Sequence, residues 1–273
     1  MRPCLLISFL FLLASWPERT FAQILNVEKT RIKGDSANYL VGNVGVNFSI
    51  NNRNLTDVGE GIYFIGLAAT SDLGYLTEHS SFFLLSQFQY NATSEQDINS
   101  TGYGHFRTTF RRKQPLSYET FAQLQYDQGR GMVLRGLIGG NIRLRVYEAE
   151  RSNLYVGIGA MREREVWEVP DGLVAEASDE TVTVNIWKST NYLVTNVSLN
   201  EFISFNAIAY FQTGYDARAA FFRHRVSLDT NVIMKITARL ALRTYAGFTY
   251  ENRPIVPITK LVYSVTNGIQ LSF

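Results

Sequence analysis

Leu261 to Phe273, LVYSVTNGIQLSF, is the stretch that decides the fold. Leu261, Tyr263, Val265, Ile269, Leu271 and Phe273 fall on one parity, and Ser264, Thr266, Gly268, Gln270 and Ser272 on the other. Successive side chains of a strand point to opposite faces, so this segment reads as a strand with one apolar and one small polar face. Upstream the same period of two recurs between clusters of turn-forming residues. Val44, Val46, Phe48 and Ile50 share a face before the turn residues Asn51, Asn52, Asn54 and Asp57. In 132–147, Met132, Leu134, Ile138, Ile142, Leu144 and Val146 oppose Arg135, Asn141, Arg143 and Arg145. Comparable segments run over 58–71, 80–91, 101–112, 118–127, 153–168, 181–195, 201–213, 221–235 and 237–251. The expectation is an all-β chain of about twelve antiparallel strands, with ten and fourteen as its bounds.

Composition fits this reading and narrows it. The chain is 46% hydrophobic and 13% aromatic, yet beyond residue 22 no apolar run reaches the roughly 20 residues of a spanning helix. Its first segment is different: Met1, Arg2 and Pro3 lead into the apolar Leu5 to Trp16, then Pro17 to Thr20 and a small-residue exit at Ala22 before Gln23. This has the layout of a secretory signal peptide over residues 1–22, cleaved between Ala22 and Gln23. Cys4, the single cysteine, lies within it, so disulfides, thiol nucleophiles and cysteine metal sites are excluded from the rest. Without Arg2, Arg19 and Glu18 the remainder carries 24 basic and 23 acidic side chains, a balance that gives nucleic-acid binding no support.

Charged residues on strands need water or opposite charge around them, and a backbone in lipid must have every polar group paired. A closed transmembrane β-barrel meets both demands. Its apolar faces meet lipid, while Arg107, Glu119, Arg135, Arg143, Arg145, Glu163, Arg225, Asp229 and Arg243 line the lumen. Tyr90, Tyr126, Tyr147, Trp167, Tyr210 and Tyr250 are placed in the aromatic girdles. A soluble lipocalin-like barrel is the competing fold, with apolar residues inside, and periodicity alone does not separate the two. The end of the chain favours the membrane: Thr266, Gly268, Leu271 and Phe273 resemble the closing signature of bacterial outer-membrane barrels. That resemblance implies the barrel-assembly machinery as a partner during biogenesis and outer-membrane lipid as the surroundings. An even strand count implies that both termini are periplasmic. The organisation expected is a signal peptide over 1–22, a periplasmic lead-in over 23–40 and a barrel over 41–273.

Three segments carry a broader likeness: Gly104 to Phe110 with His105 and Arg107, Tyr118 to Tyr126 with Phe121, Gln123 and Gln125, and Leu134 to Ile142 with Arg135, Gly136, Gly139 and Gly140. In these the chain resembles the salt-stress-induced outer-membrane β-barrels of unknown function of Gram-negative bacteria. The resemblance covers most of the chain after residue 22. It implies a location and a fold and lends no activity.

For an enzyme, the candidate is His79 and Ser81, whose His-x-Ser spacing puts both on one strand face, as a lipid-facing hydrolase would need. They fall at a connection on the periplasmic side with no acid or amide partner nearby, so a polar turn is the simpler reading. His105 and His224 sit beside arginines and read as lumen residues. No metal-ligand spacing and no cofactor motif is evident. Asn54, Asn91 and Asn196 open Asn-x-Ser/Thr triplets that read as turn chemistry, and the glycines from Gly131 to Gly140 as relief of crowding in a strand. About twelve strands stands between a barrel filled by side chains and one that leaves a channel. Because arginines and carboxylates occur in similar numbers, the expected lumen is narrow or plugged, serving envelope integrity or the passage of small solutes with a mild preference for anions.

Overall fold

The computed structural model describes residues 38–54, 61–93, 97–169, 181–237 and 239–271. Twelve strands follow one another: β1 Tyr39–Asn54, β2 Gly61–Leu76, β3 Ser80–Thr93, β4 Asp97–Phe110, β5 Leu116–Asp127, β6 Met132–Ala149, β7 Ser152–Glu168, β8 Thr181–Ser198, β9 Ile203–Asp216, β10 Phe221–Lys235, β11 Leu240–Glu251 and β12 Leu261–Leu271. They form one antiparallel sheet in which each strand pairs with its successor from β1 to β12; among the described residues no pairing joins β12 back to β1. Twelve is even, so the start of β1 and the end of β12 share one end of the sheet, here the terminal end. The signal-peptide segment, most of the lead-in and Phe273 lie outside the described residues.

The sheet is strongly curled. Laid flat, β4 and β9 are five strand spacings apart, roughly 24 Å. Instead, Arg107 of β4 donates from Nη2 to Tyr210 Oη of β9 at 3.2 Å. Tyr192 of β8 reaches Glu119 of β5 at 2.7 Å, and Arg225 of β10 reaches Glu163 of β7 at 3.2 Å. A barrel-like meander is the geometry that brings these strands together.

Turn chemistry sets where the strands reverse. At the terminal end, Thr77 Oγ1 donates to the Ser80 carbonyl at 3.0 Å and accepts the Ser80 amide at 2.9 Å. There too Asn200 Oδ1 accepts the amides of Phe202 and Ile203, at 2.9 and 2.7 Å. At the opposite, loop end, Asp216 Oδ1 accepts the amides of Arg218 and Ala219. Short Asn, Asp and Thr side chains bonding the backbone two or three residues on are what tight reversals favour. Between β5 and β6 a single 3-10 turn, Gln128–Arg130, stops at Gly131, whose φ of 71° suits a residue without Cβ.

Polarity is inverted relative to a soluble protein. Val44 is 70% exposed and Ile269 74%, and Phe48, Leu124, Ile138, Ile158 and Tyr263 are likewise exposed. Arg107 is 4% exposed, Glu163 1% and Glu165 2%, with Glu119, Arg143, Lys188 and Arg225 also buried. The apolar parity read from the sequence is the outward one along most strands. β8 departs from it: Val184 and Ile186 are buried on the inner face beside Lys188, while Asn185 and Trp187 are exposed. Trp167 and Tyr210, assigned to the girdle from the sequence, are buried and inward, whereas Tyr147 and Tyr250 are exposed. Asn91 and Asn196 lie within β3 and β8 rather than in turns.

Candidate functional site: a charge-filled interior

Inward positions on one strand are two residues apart, so β7 points Trp167, Glu165, Glu163 and Met161 into the interior one below another. Around the two glutamates, neighbouring strands supply the cations. Arg135 of β6 bonds Glu163 at 2.6 Å and Glu165 at 3.2 Å. Arg225 of β10 bonds Glu163 at 3.2 Å, Glu165 at 2.9 Å and Glu251 of β11 at 3.1 Å. Lys188 of β8 also pairs with Glu163, and Trp167 Nε1 donates to Glu165 Oε2 at 2.9 Å. Three cations thus face three carboxylates. A buried charge without a partner is strongly unfavourable, and a cluster of this balance leaves none.

A second cluster lies nearer the terminal end. Glu119 faces Arg143 at 3.4 Å and Arg107 at 3.7 Å and accepts the Tyr192 hydroxyl. The Arg107 guanidinium stands over the rings of Phe121 and Tyr192, and that of Arg143 over Tyr155 at 3.9 Å from the ring centre. Glycine makes the central crossing possible: a Cβ at position 157 would overlap the Tyr192 ring that reaches past it. Between the clusters, Tyr245 Oη donates to Asp229 at 2.6 Å and Arg243 Nε to Asn231 at 2.8 Å.

At the loop end the connection between β11 and β12 folds inward, and Val256 packs against Met132 and Trp167 with Ile255 and Ile258 beside it. Beneath it, the cavity bordered by Glu163, Glu165, Lys188, Arg225 and Ile255 measures about 10 Å³, room for a single water. At the terminal end a cavity of about 50 Å³ lies among Ser81, Thr109, Ser117, Arg112, Arg143 and Arg145. Among the described residues, side chains therefore fill the interior at the levels of the two clusters.

Of the nine charged residues assigned to the lumen from the sequence, Arg107, Glu119, Arg143, Glu163, Arg225 and Asp229 are buried, and Arg135 is nearly so. Arg243 is half-buried on its bond to Asn231, and Arg145 is half-buried at the terminal mouth, where it pairs with Glu148. Lys188, Glu251 and Tyr192 were not singled out, and Tyr210 was assigned to the girdle. Lys188 sits in a run whose other inward members are apolar, and the two tyrosines reveal their role only through curvature. His105 is inward, with Nδ1 3.2 Å from Gln123 Oε1, but His224 turns outward, its ring stacked on those of Phe211 and Phe222. His79 is exposed in the turn after β2, whereas Ser81 is buried and inward at the terminal-end cavity. Thr266 and Gly268 lie on β12 opposite Tyr245 and Arg243, and Leu271 opposite Leu240. Among the described residues no group of three or more His, Cys, Asp or Glu is placed to hold a metal ion. Compared with protein-family models and with curated proteins, the chain matches none.

Proposed function

We propose that the chain is an integral outer-membrane β-barrel with a plugged interior, whose work is envelope integrity or restricted passage of small solutes. The observation that carries this is the inverted polarity: isoleucine, valine, leucine and phenylalanine cover the outside while arginine and glutamate fill the inside. In water that outer surface is unfavourable by roughly 25 cal/mol for each Å² of apolar area left wet, whereas hydrocarbon reverses the balance. A soluble lipocalin-like barrel needs the opposite arrangement. In hydrocarbon an open sheet edge is not tolerated, so β1 and β12 pair with each other to close the barrel. The resemblance to salt-stress-induced outer-membrane barrels and the terminal signature support the same placement.

The test is electrophoretic migration with and without boiling, followed by planar-bilayer recording. A closed barrel migrates differently before heating, and a plugged one passes only small currents. A chain that is soluble without detergent and migrates identically in both lanes defeats the proposal, and large unselective currents defeat its plugged form.

A further inference from the structure

Among the described residues, charged side chains avoid the outer wall within the strands, except for a pair on β7. Along β7 the odd positions are buried, and the even positions Ile158, Ala160, Arg162 and Arg164 are exposed. Among the described residues, Arg162 and Arg164 are the charged side chains that occupy outward positions well inside a strand. Neither makes an ion pair or hydrogen bond among those residues; the Arg162 guanidinium lies over the Trp187 ring at 5.6 Å. The nearest carboxylate on the same face of β7, Glu168, stands four strand residues on, roughly 13 Å away.

On the β6 side Gly136 and Ile138 lie opposite Arg164 and Arg162, but on the β8 side the sheet presents polar groups at the same place. Asn185 lies opposite Arg164, Trp187 opposite Arg162, and Ser189 opposite Ala160. Ser189 in turn faces Thr213, and Thr213 faces His224, with Thr213 Oγ1 2.8 Å from His224 Nδ1. Two guanidiniums, a row of neutral hydrogen-bonding groups and an exposed tryptophan thus form one patch across β7 to β10. An outward arginine is strongly unfavourable at the middle of a bilayer and nearly neutral close to its surface. The patch therefore belongs at the bilayer surface of the loop-end leaflet, above the apolar band of Leu154, Val156, Ile158 and Ala160. Arginine presents a planar fork of donors that matches phosphate oxygens, and two forks about 7 Å apart suit an anionic headgroup rather than a neutral one.

We propose that this patch binds the phosphorylated headgroup of a lipid in the loop-end leaflet, Arg162 and Arg164 taking the phosphate and Asn185, Ser189 and Trp187 bordering it. The proposal rests on the outer-membrane reading. With both termini periplasmic, the loop end faces outward, and the lipid of that leaflet is a phosphorylated glucosamine lipid.

The experiment reconstitutes the protein in phosphatidylcholine vesicles containing bisphosphorylated lipid A and measures retained lipid by native mass spectrometry, with boiling-dependent migration as the control for folding. The wild type is expected to retain lipid A at least about tenfold more strongly than R162A/R164A, both chains migrating as folded barrels. Wild type is also expected to lose its preference when the lipid A has been stripped of phosphate, a measurement that needs no variant. Equal retention by wild type and variant, or equal retention with and without phosphate, overturns the site while leaving the barrel standing. Failure of the wild type to insert at all takes down both readings.

Discussion

Tyr192 donates its hydroxyl to Glu119 across the interior at 2.7 Å, joining β8 to β5, two strands that share no backbone pairing. Glu119 also faces Arg107 and Arg143, so one carboxylate anchors two cations and a phenol. The consequence is unequal sensitivity. Tyr192→Phe removes one hydrogen bond and is expected to lower stability by about 1 kcal/mol. Glu119→Ala removes the carboxylate shared by two buried guanidiniums and is expected to cost more, about 3 kcal/mol. Urea unfolding of each variant in vesicles checks the order; equal losses would mean that Glu119 is not the anchor.

Charge balance in the loop-end cluster is expected to govern ion passage through the proposed barrel. Replacing Glu163 and Glu165 by Gln leaves Arg135, Arg225 and Lys188 facing Glu251 alone. The expected outcome in a planar bilayer is a larger current than wild type and a reversal potential displaced toward the anion's equilibrium value. Displacement toward the cation's value would contradict the placement of these groups along the permeation path.

The connection between β11 and β12 is expected to behave as a cap. Val256 is buried against Met132 and Trp167, so Val256→Asp sets a carboxylate in an apolar contact and favours the loop swinging out. Limited proteolysis should then cut within 252–260 in the variant and spare the wild type. Indifference of the cutting pattern would show that the loop is held by other contacts.

Closure of the barrel can be trapped chemically. Cysteines introduced on the outward positions of β1, such as Val44 or Phe48, and of β12, such as Tyr263 or Val265, should give at least one pair that oxidises to a disulfide without loss of boiling-dependent migration. If every pair on this seam stays reduced in the folded protein, β1 and β12 are not neighbours.

Much of this architecture was legible from residues alone because a period of two is a local property. The sequence reading and the structure agree on twelve strands, and segments such as 221–235 have the same ends in both. β2 is the exception in position: the sequence reading ends it at Ser71, whereas Asp72 to Leu76 continue it as strand, paired with β1 and β3. β8 misled for another reason. Val182, Val184 and Ile186 look lipid-facing by their chemistry, but this wall of the interior is apolar and Lys188 hangs below it. Trp167 and Tyr210 were assigned to the girdle as aromatics near strand ends, but Tyr210 falls in the middle of β9 and both fill the interior. Which partners meet across the interior depends on curvature and stagger, and no spacing along the chain encodes the meeting of Arg107 with Tyr210 or of Tyr192 with Glu119.

Those crossings act on the barrel as spokes act on a hoop. An empty cylinder of strands yields to sideways squeezing because nothing opposes the approach of its walls or their spreading. Here the links from Arg107 to Tyr210 and from Glu119 to Tyr192 share one level and the link from Glu163 to Arg225 holds another, so flattening at either level must break one of them. On the outer-membrane reading proposed above, such a cylinder is expected to keep its girth as lateral tension rises and falls, while the lipid around it does the yielding.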